Sequence, residues 1–121
     1  MGKPQEAMAA YKKTVEHDPR YENAWNNIGV FFFNRKEYDK ATFNFKKVLE
    51  INPEHVDALT NLGGTLHNQG KVEEAIPFYL KAIEVNPQSL KAIQNISLAY
   101  NQLGRTEEAA KYQALINKLS K

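Results

Sequence analysis

Residues 25–53 read WNNIGVFFFNRKEYDKATFNFKKVLEINP, and this stretch decides the fold. Trp25, Ile28 and Phe32 are spaced by three and four, the spacing of one face of an α-helix. After Asn34-Arg35-Lys36 the pattern restarts with Ala41, Phe45 and Val48, which mark the face of a second helix. Pro53 biases Asn52 away from helical backbone and closes that helix. The stretch is a helical hairpin with one apolar face on each arm.

Outward from it the same hairpin recurs with a fixed period. Pro19, Pro53 and Pro87 stand 34 residues apart, as do Ala7, Ala41, Ala75 and Ala109, and Asn27, Asn61 and Asn95. Gly2, Gly70 and Gly104 fall on the same lattice, with Lys36 in the remaining place; glycine suits these turns because it tolerates the left-handed backbone of a helix C-terminus. Several independent columns with one period mark an internal repeat. The pattern predicts seven helices, over about 4–17, 21–34, 37–51, 55–68, 71–85, 89–102 and 105–119, and no strand. Residues 1–121 read as a single domain: a half repeat at 4–19 holding a second helix only, then repeats at 21–54, 55–88 and 89–121. Because the partner of the half repeat is missing from the pattern, Met8 and Tyr11 are expected to face solvent or a partner chain. Gln113 stands where the earlier repeats carry an aromatic, which suits a cap-like last helix with no further repeat over it.

Composition narrows the function. A chain of 121 residues with 42% apolar and 25% charged side chains can bury a core of ordinary size. Sixteen basic against fourteen acidic side chains leave a charge of +2, too even a balance for phosphate-backbone binding, so nucleic acid is not expected. There is no cysteine, hence no disulfide framework and no thiolate metal site. The longest apolar run, Ile28 to Phe33, is far short of the roughly 20 residues a spanning helix needs, so no membrane insertion is expected. The N-terminus lacks the apolar core of a secretory signal, and the expected location is cytoplasmic.

Trp25-x2-Ile28-Gly29-x2-Phe32, Ala41-x3-Phe45 and Pro53 follow the tetratricopeptide signature. Leu59-x2-Leu62-Gly63-x2-Leu66, Ala75-x3-Tyr79 and Pro87 repeat it, and Ile93-x2-Ile96-Ser97-x2-Tyr100 with Ala109 carries it into a third unit. The chain therefore resembles the tetratricopeptide-repeat family over nearly its whole length. The resemblance implies an all-α fold, a right-handed α-solenoid of helix-turn-helix repeats. Its small columns have a packing meaning: Gly29, Gly63 and Ser97 let the paired helix approach, and Ala41, Ala75 and Ala109 fill the matching place.

No constellation for catalysis appears. His17, His55 and His67 have no three- or four-residue spacing that would set two imidazoles on one helical face, so no metal site is expected. Ser89, Ser97 and Ser120 have no neighbouring histidine or strained-turn motif, and Gly63-Gly64 lies in a helix without the lysine of a phosphate loop. The chain is expected to be no enzyme and to hold no cofactor. Lys12-Lys13, Lys46-Lys47 and Lys81 form a basic strip on the second helices, read as a solvated face diluted by Glu16 and Glu50.

The resemblance implies that the first helices line a concave groove. Their non-core positions are Asn23, Asn26, Asn27, Val30, Phe33 and Asn34; then Asp57, Thr60, Asn61, Gly64, His67 and Asn68; then Lys91, Gln94, Asn95, Leu98, Asn101 and Gln102. Carboxamides dominate this surface, and each supplies donors and an acceptor that can pair with the backbone of an extended peptide. Phe33 beside Val30 offers an apolar anchor. Asn27, Asn61 and Asn95 resemble the asparagine ladder of the tetratricopeptide superhelix in O-linked N-acetylglucosamine transferases, although hydrogen bonding between helices explains such a column equally well. The clamp for acidic chaperone tails fits poorly, since of Asn26, Val30, Asn61, Lys91 and Asn95 only Asn61 and Lys91 match it. The expected partner is a protein or extended peptide. The alternatives are a homo-oligomer built through the uncovered N-terminal helix and a non-catalytic recognition segment of a larger enzyme such as a glycosyltransferase.

Overall fold

The computed structural model describes residues 3–120, with side chains from Gln5 onward; Gly2 of the turn column lies outside them. It is all-α, with no strand among the described residues. Seven helices follow in order: α1 (Lys3–His17), α2 (Glu22–Asn34), α3 (Tyr38–Ile51), α4 (Val56–Asn68), α5 (Val72–Val85), α6 (Leu90–Gln102) and α7 (Thr106–Leu119). From α2 onward each helix starts one residue later than the apolar pattern suggests. The residues in question, from Tyr21 to Arg105, are N-caps whose backbone is still non-helical. None of these helices is long and apolar enough to cross a membrane.

Helices α2 and α3, α4 and α5, and α6 and α7 pair as hairpins, and each second helix also packs on the first helix of the next hairpin. The first helices α2, α4 and α6 touch one another in series, whereas α3, α5 and α7 do not. A stack that is closer on one side than the other curves toward the close side. The first helices therefore form the concave layer of the solenoid and the second helices the convex one.

The turns are built by local chemistry. Lys36, Gly70 and Gly104 all have positive φ, at 61°, 83° and 75°. In each case the next amide reaches back over the turn, Glu37 to Phe32 O at 2.9 Å, Lys71 to Leu66 O at 2.9 Å and Arg105 to Tyr100 O at 2.8 Å, which caps carbonyls the helix leaves open. The proline turns use side chains: Asp18, Asn52 and Asn86 each accept from the amide two residues on, at 3.1 Å.

Inside the hairpins the small columns meet rings. A Cβ built on Gly29 would lie 2.5 Å from the ring of Phe45, and one on Gly63 would lie 2.5 Å from Tyr79. Both rings are buried, as are Ala41, Ala75 and Ala109. The third hairpin carries Ser97 instead, and it has room because Gln113, in the ring position, is exposed; the Ser97 hydroxyl donates to Ala109 O at 3.1 Å. At the N-terminal end the expectation for Met8 is corrected. It is only 7% exposed and packs inward against α2, while Tyr11 is half-buried.

Two adjacent glycines should respond with opposite sign. Gly63→Ala must displace the buried Tyr79 ring and is expected to lower stability by about 1–3 kcal/mol despite its better helix propensity. Gly64→Ala meets nothing closer than the Tyr79 hydroxyl at 3.9 Å and should raise stability by up to about 1 kcal/mol, as read from urea unfolding of both variants. Lys36 holds a left-handed backbone that costs an L-residue roughly 1–2 kcal/mol, partly offset by the greater freedom glycine has when unfolded. Lys36→Gly is therefore expected to raise Tm by a few degrees in calorimetry.

Candidate functional site

The concave layer encloses a cavity of about 650 Å³, in the range of ligand-binding clefts. Its walls come from the three first helices and the buried face of α5: Phe33 of α2, Thr60, Asn61, Gly64, His67 and Asn68 of α4, Lys91, Asn95, Leu98 and Gln102 of α6, with Gly70, Val72 and Tyr79 behind. Of the groove positions named from the sequence, this cavity brings together Phe33, Thr60, Asn61, Asn68, Lys91, Asn95, Leu98 and Gln102, along with Gly64 and His67. Asn23, Asn26, Asn27, Val30, Asn34 and Asp57 do not line it; Gln94 and Asn101 line a smaller crevice with Gln113 on the α6–α7 hairpin.

Several polar side chains are committed to one another across the helices. Asn61 Nδ2 donates to Asn26 Oδ1 at 3.3 Å, and Lys91 Nζ donates to Asn61 Oδ1 at 3.3 Å, so one carboxamide ties α2, α4 and α6 together. Asn26 is buried. The Asn23 side chain meets His55 Nε2 at 3.2 Å, and His55 Nδ1 accepts from the Ala58 amide at 3.0 Å, so the His55 proton sits on Nε2. His55 thereby caps α4 and bridges to α2. Thr60 is buried, with its hydroxyl on Val56 O at 2.9 Å.

A second chain runs deeper. Gln102 Oε1 can only accept, so His67 donates to it from Nε2, at 2.5 Å, and presents a bare Nδ1 to the Tyr79 hydroxyl at 3.4 Å. Tyr79 belongs to the core by its ring, yet its hydroxyl reaches the groove beside Gly64. The sequence signal for this was Gly63, which admits the ring, with the hydroxyl then 3.9 Å from the place a Cβ on Gly64 would take. The groove carboxamides of Asn68 and Asn95 make no side-chain hydrogen bond among the described residues, and Leu98 is 52% exposed. An open amide surface beside Phe33 and Leu98 suits backbone pairing with an apolar anchor on either side.

No group of three or more potential ligands is gathered for a metal among the described residues. Burial pushes the Tyr79 hydroxyl up to about 12 from an ordinary value near 10. The neutral phenol is thus favoured by the fold, so the stability it supports is intact below pH 10 and is lost as pH rises from about 10 through 12. Wild-type Tm should fall across this window, and Tyr79→Phe should flatten that fall when both proteins are scanned by circular dichroism.

In structure the chain is similar to MamA. It superposes on one crystal structure of MamA with a TM-score of 0.89 and 29% identity over 97% of this chain and 68% of that one. A second crystal structure of MamA gives 0.85 and 29% over 96% of this chain and 63% of that one, and MamA MSR-1 gives 0.80 and 26% over 98% and 68%. The chain thus spans about two thirds of the length of these MamA chains. Comparison with curated proteins finds no match. The model of the cilia- and flagella-associated protein 70 middle TPR-like domain matches residues 1–120. Helical hairpins at the tetratricopeptide period, a concave first-helix layer and this match together place the chain in the family of the cilia- and flagella-associated protein 70 middle TPR-like domain.

Proposed function

We propose that the chain is a non-catalytic interaction scaffold that holds an extended peptide segment of a partner protein on its concave face. One observation carries the reading: a cavity of about 650 Å³ whose rim offers open carboxamides between Phe33 and Leu98. Asn95 and Asn68 are free to pair with peptide N–H and C=O groups, and Asn61 keeps one amide hydrogen beyond its bond to Asn26. The bridges Asn26–Asn61–Lys91 and Tyr79–His67–Gln102 hold this surface in place before a ligand arrives, which lowers the ordering cost of binding. Among the described residues, Lys91 is the one charged group on the cavity wall, so backbone and apolar contacts outweigh charge in this reading. A non-catalytic role agrees with His67, whose two ring nitrogens are both engaged. We place this scaffold in the cytoplasm, a reducing compartment that agrees with a sequence free of cysteine.

Peptides selected from a random library on the immobilised protein supply the ligand for the test. Leu98→Asp should abolish binding, and the pair Asn61→Ala with Asn95→Ala should weaken it roughly tenfold, at about 1 kcal/mol or less per lost hydrogen bond. Asn27→Ala, outside the cavity wall, should leave affinity unchanged in calorimetric titration. Equal affinity for all of these variants, with unchanged circular dichroism, would exclude the concave face as the binding surface.

A further inference from the structure

On the convex side, a hollow of about 290 Å³ opens between α1 and α3, over α2. Met8 and Val15 of α1 and Trp25, Ile28 and Phe32 of α2 form its apolar walls, Asn44 of α3 lies at one side, and Lys12 and Glu16 stand at the rim. The repeat explains why it is there. Position 44 belongs to a column whose members 34 residues apart are Ala10, Asn44, Phe78 and Tyr112, the last three on α3, α5 and α7. Phe78 packs into the corresponding place among Leu49, Leu59, Leu62 and Leu66, and Tyr112 packs with Ile76, Ile83, Ile96 and Tyr100. Tyr112 lies flat on Tyr100, with centroids 5.9 Å apart. Leu49, Leu59, Leu62 and Leu66 are the counterparts of Val15, Trp25, Ile28 and Phe32 at an offset of 34, and Ile76, Ile83, Ile96 and Tyr100 are those of Met8, Val15, Ile28 and Phe32 at twice that offset. Two of three equivalent hollows are thus filled by a six-membered ring from the protein itself, and the first is not.

Asn44 does not fill it because its amide folds back on its own helix, donating to Lys40 O at 2.8 Å. Trp25, Phe32 and Val15 remain as its apolar walls, and the hollow is open to solvent at the rim formed by Lys12 and Glu16. The fold itself therefore shows what shape belongs in the hollow: one aromatic ring. Charge indicates what carries the ring. Lys12 is at the rim; Lys40 and Lys47 lie one turn to either side of Asn44, with Lys40 Nζ 5.3 Å from the centre of the Phe32 ring and Lys47 Nζ 5.5 Å from that of Phe43. Glu16 is the acidic group at the rim, and Glu37 pairs with Lys40 at 3.2 Å. Lys12 and Lys47 have no carboxylate partner among the described residues. Phe43, with Lys47 over its ring, is 57% exposed on the same helix.

We propose that this convex hollow receives one phenyl or phenol side chain from an acidic segment of a partner protein. The site is separate from the concave groove and uses the basic strip that the groove leaves idle.

Trp25, the single tryptophan, lines the hollow and reports on it directly. The probes are 4-methylphenol, cyclohexanol as the non-aromatic control, and two short peptides in which one tyrosine is flanked by aspartates or by lysines. In 1H–15N spectra, 4-methylphenol at millimolar concentration should move the Trp25 indole and Asn44 amide signals, and cyclohexanol should move them much less. Asn44→Ala should retain this binding. Asn44→Phe should fill the hollow as Phe78 fills its own, raising Tm by several degrees and removing the response. The aspartate-flanked peptide should bind about tenfold tighter than the lysine-flanked one at low salt. No Trp25 response to 4-methylphenol, or an undiminished response in folded Asn44→Phe, overturns the ring site. Equal affinity for the two peptides overturns the acidic partner. Because the readout is Trp25 and not the Asn95 side of the molecule, failure here is distinguishable from failure of the concave-groove reading.

Discussion

The contact between a glycine on one helix and a ring on its partner governs the geometry of the stack. Phe45 lies where a side chain on Gly29 would be, and Tyr79 where one on Gly63 would be, each 2.5 Å from the position a Cβ would take. That approach closes the first two hairpins and fixes the distance between their arms. Along the stack the first helices touch in series, while the second helices stay apart. Concavity follows from this asymmetry. The third hairpin shows the converse: where Gln113 replaces the ring, Ser97 replaces the glycine, and a hydroxyl bond to Ala109 O stands in for the ring contact.

The concave surface inherits its order from the same contact. Gly63 lets the Tyr79 ring into the core, and the Tyr79 hydroxyl ends on His67 and, through it, on Gln102. Asn61 does the equivalent work at the other end of the groove, between Asn26 and Lys91. Buried or half-buried amides need partners, and here they find them on neighbouring helices. The groove is thus a braced surface, with Asn68, Asn95 and Leu98 left facing outward.

Repetition also makes a vacancy readable. A single cavity lined by Trp25, Ile28 and Phe32 would carry little meaning alone. Set beside Phe78 and Tyr112 in the two equivalent places, it becomes a position from which a ring is missing. The basic side chains around it lie on the convex face, where the splayed second helices keep them in solvent. The two faces of the solenoid thereby differ in chemistry: amide and braced inside, basic with exposed Phe43 outside.

The helical hairpins, their turns and their small columns were legible in the sequence because each rests on local rules. Apolar spacing, proline placement and positive φ at Lys36, Gly70 and Gly104 act within a few residues and recur every 34. The list of first-helix positions was legible too, but not which of them share a cavity. Asn27, Asn61 and Asn95 are alike in sequence, yet Asn61 and Asn95 line the cavity and Asn27 does not. Met8 reads as facing solvent or a partner chain and is buried, because α1 packs across α2. The sequence by itself determined the repeat, the helices and the small columns that let paired arms approach. Only the tertiary structure decided which amides bond to each other, which stay open and where a ring is absent, because those outcomes depend on curvature and on contacts between residues 30 or more positions apart.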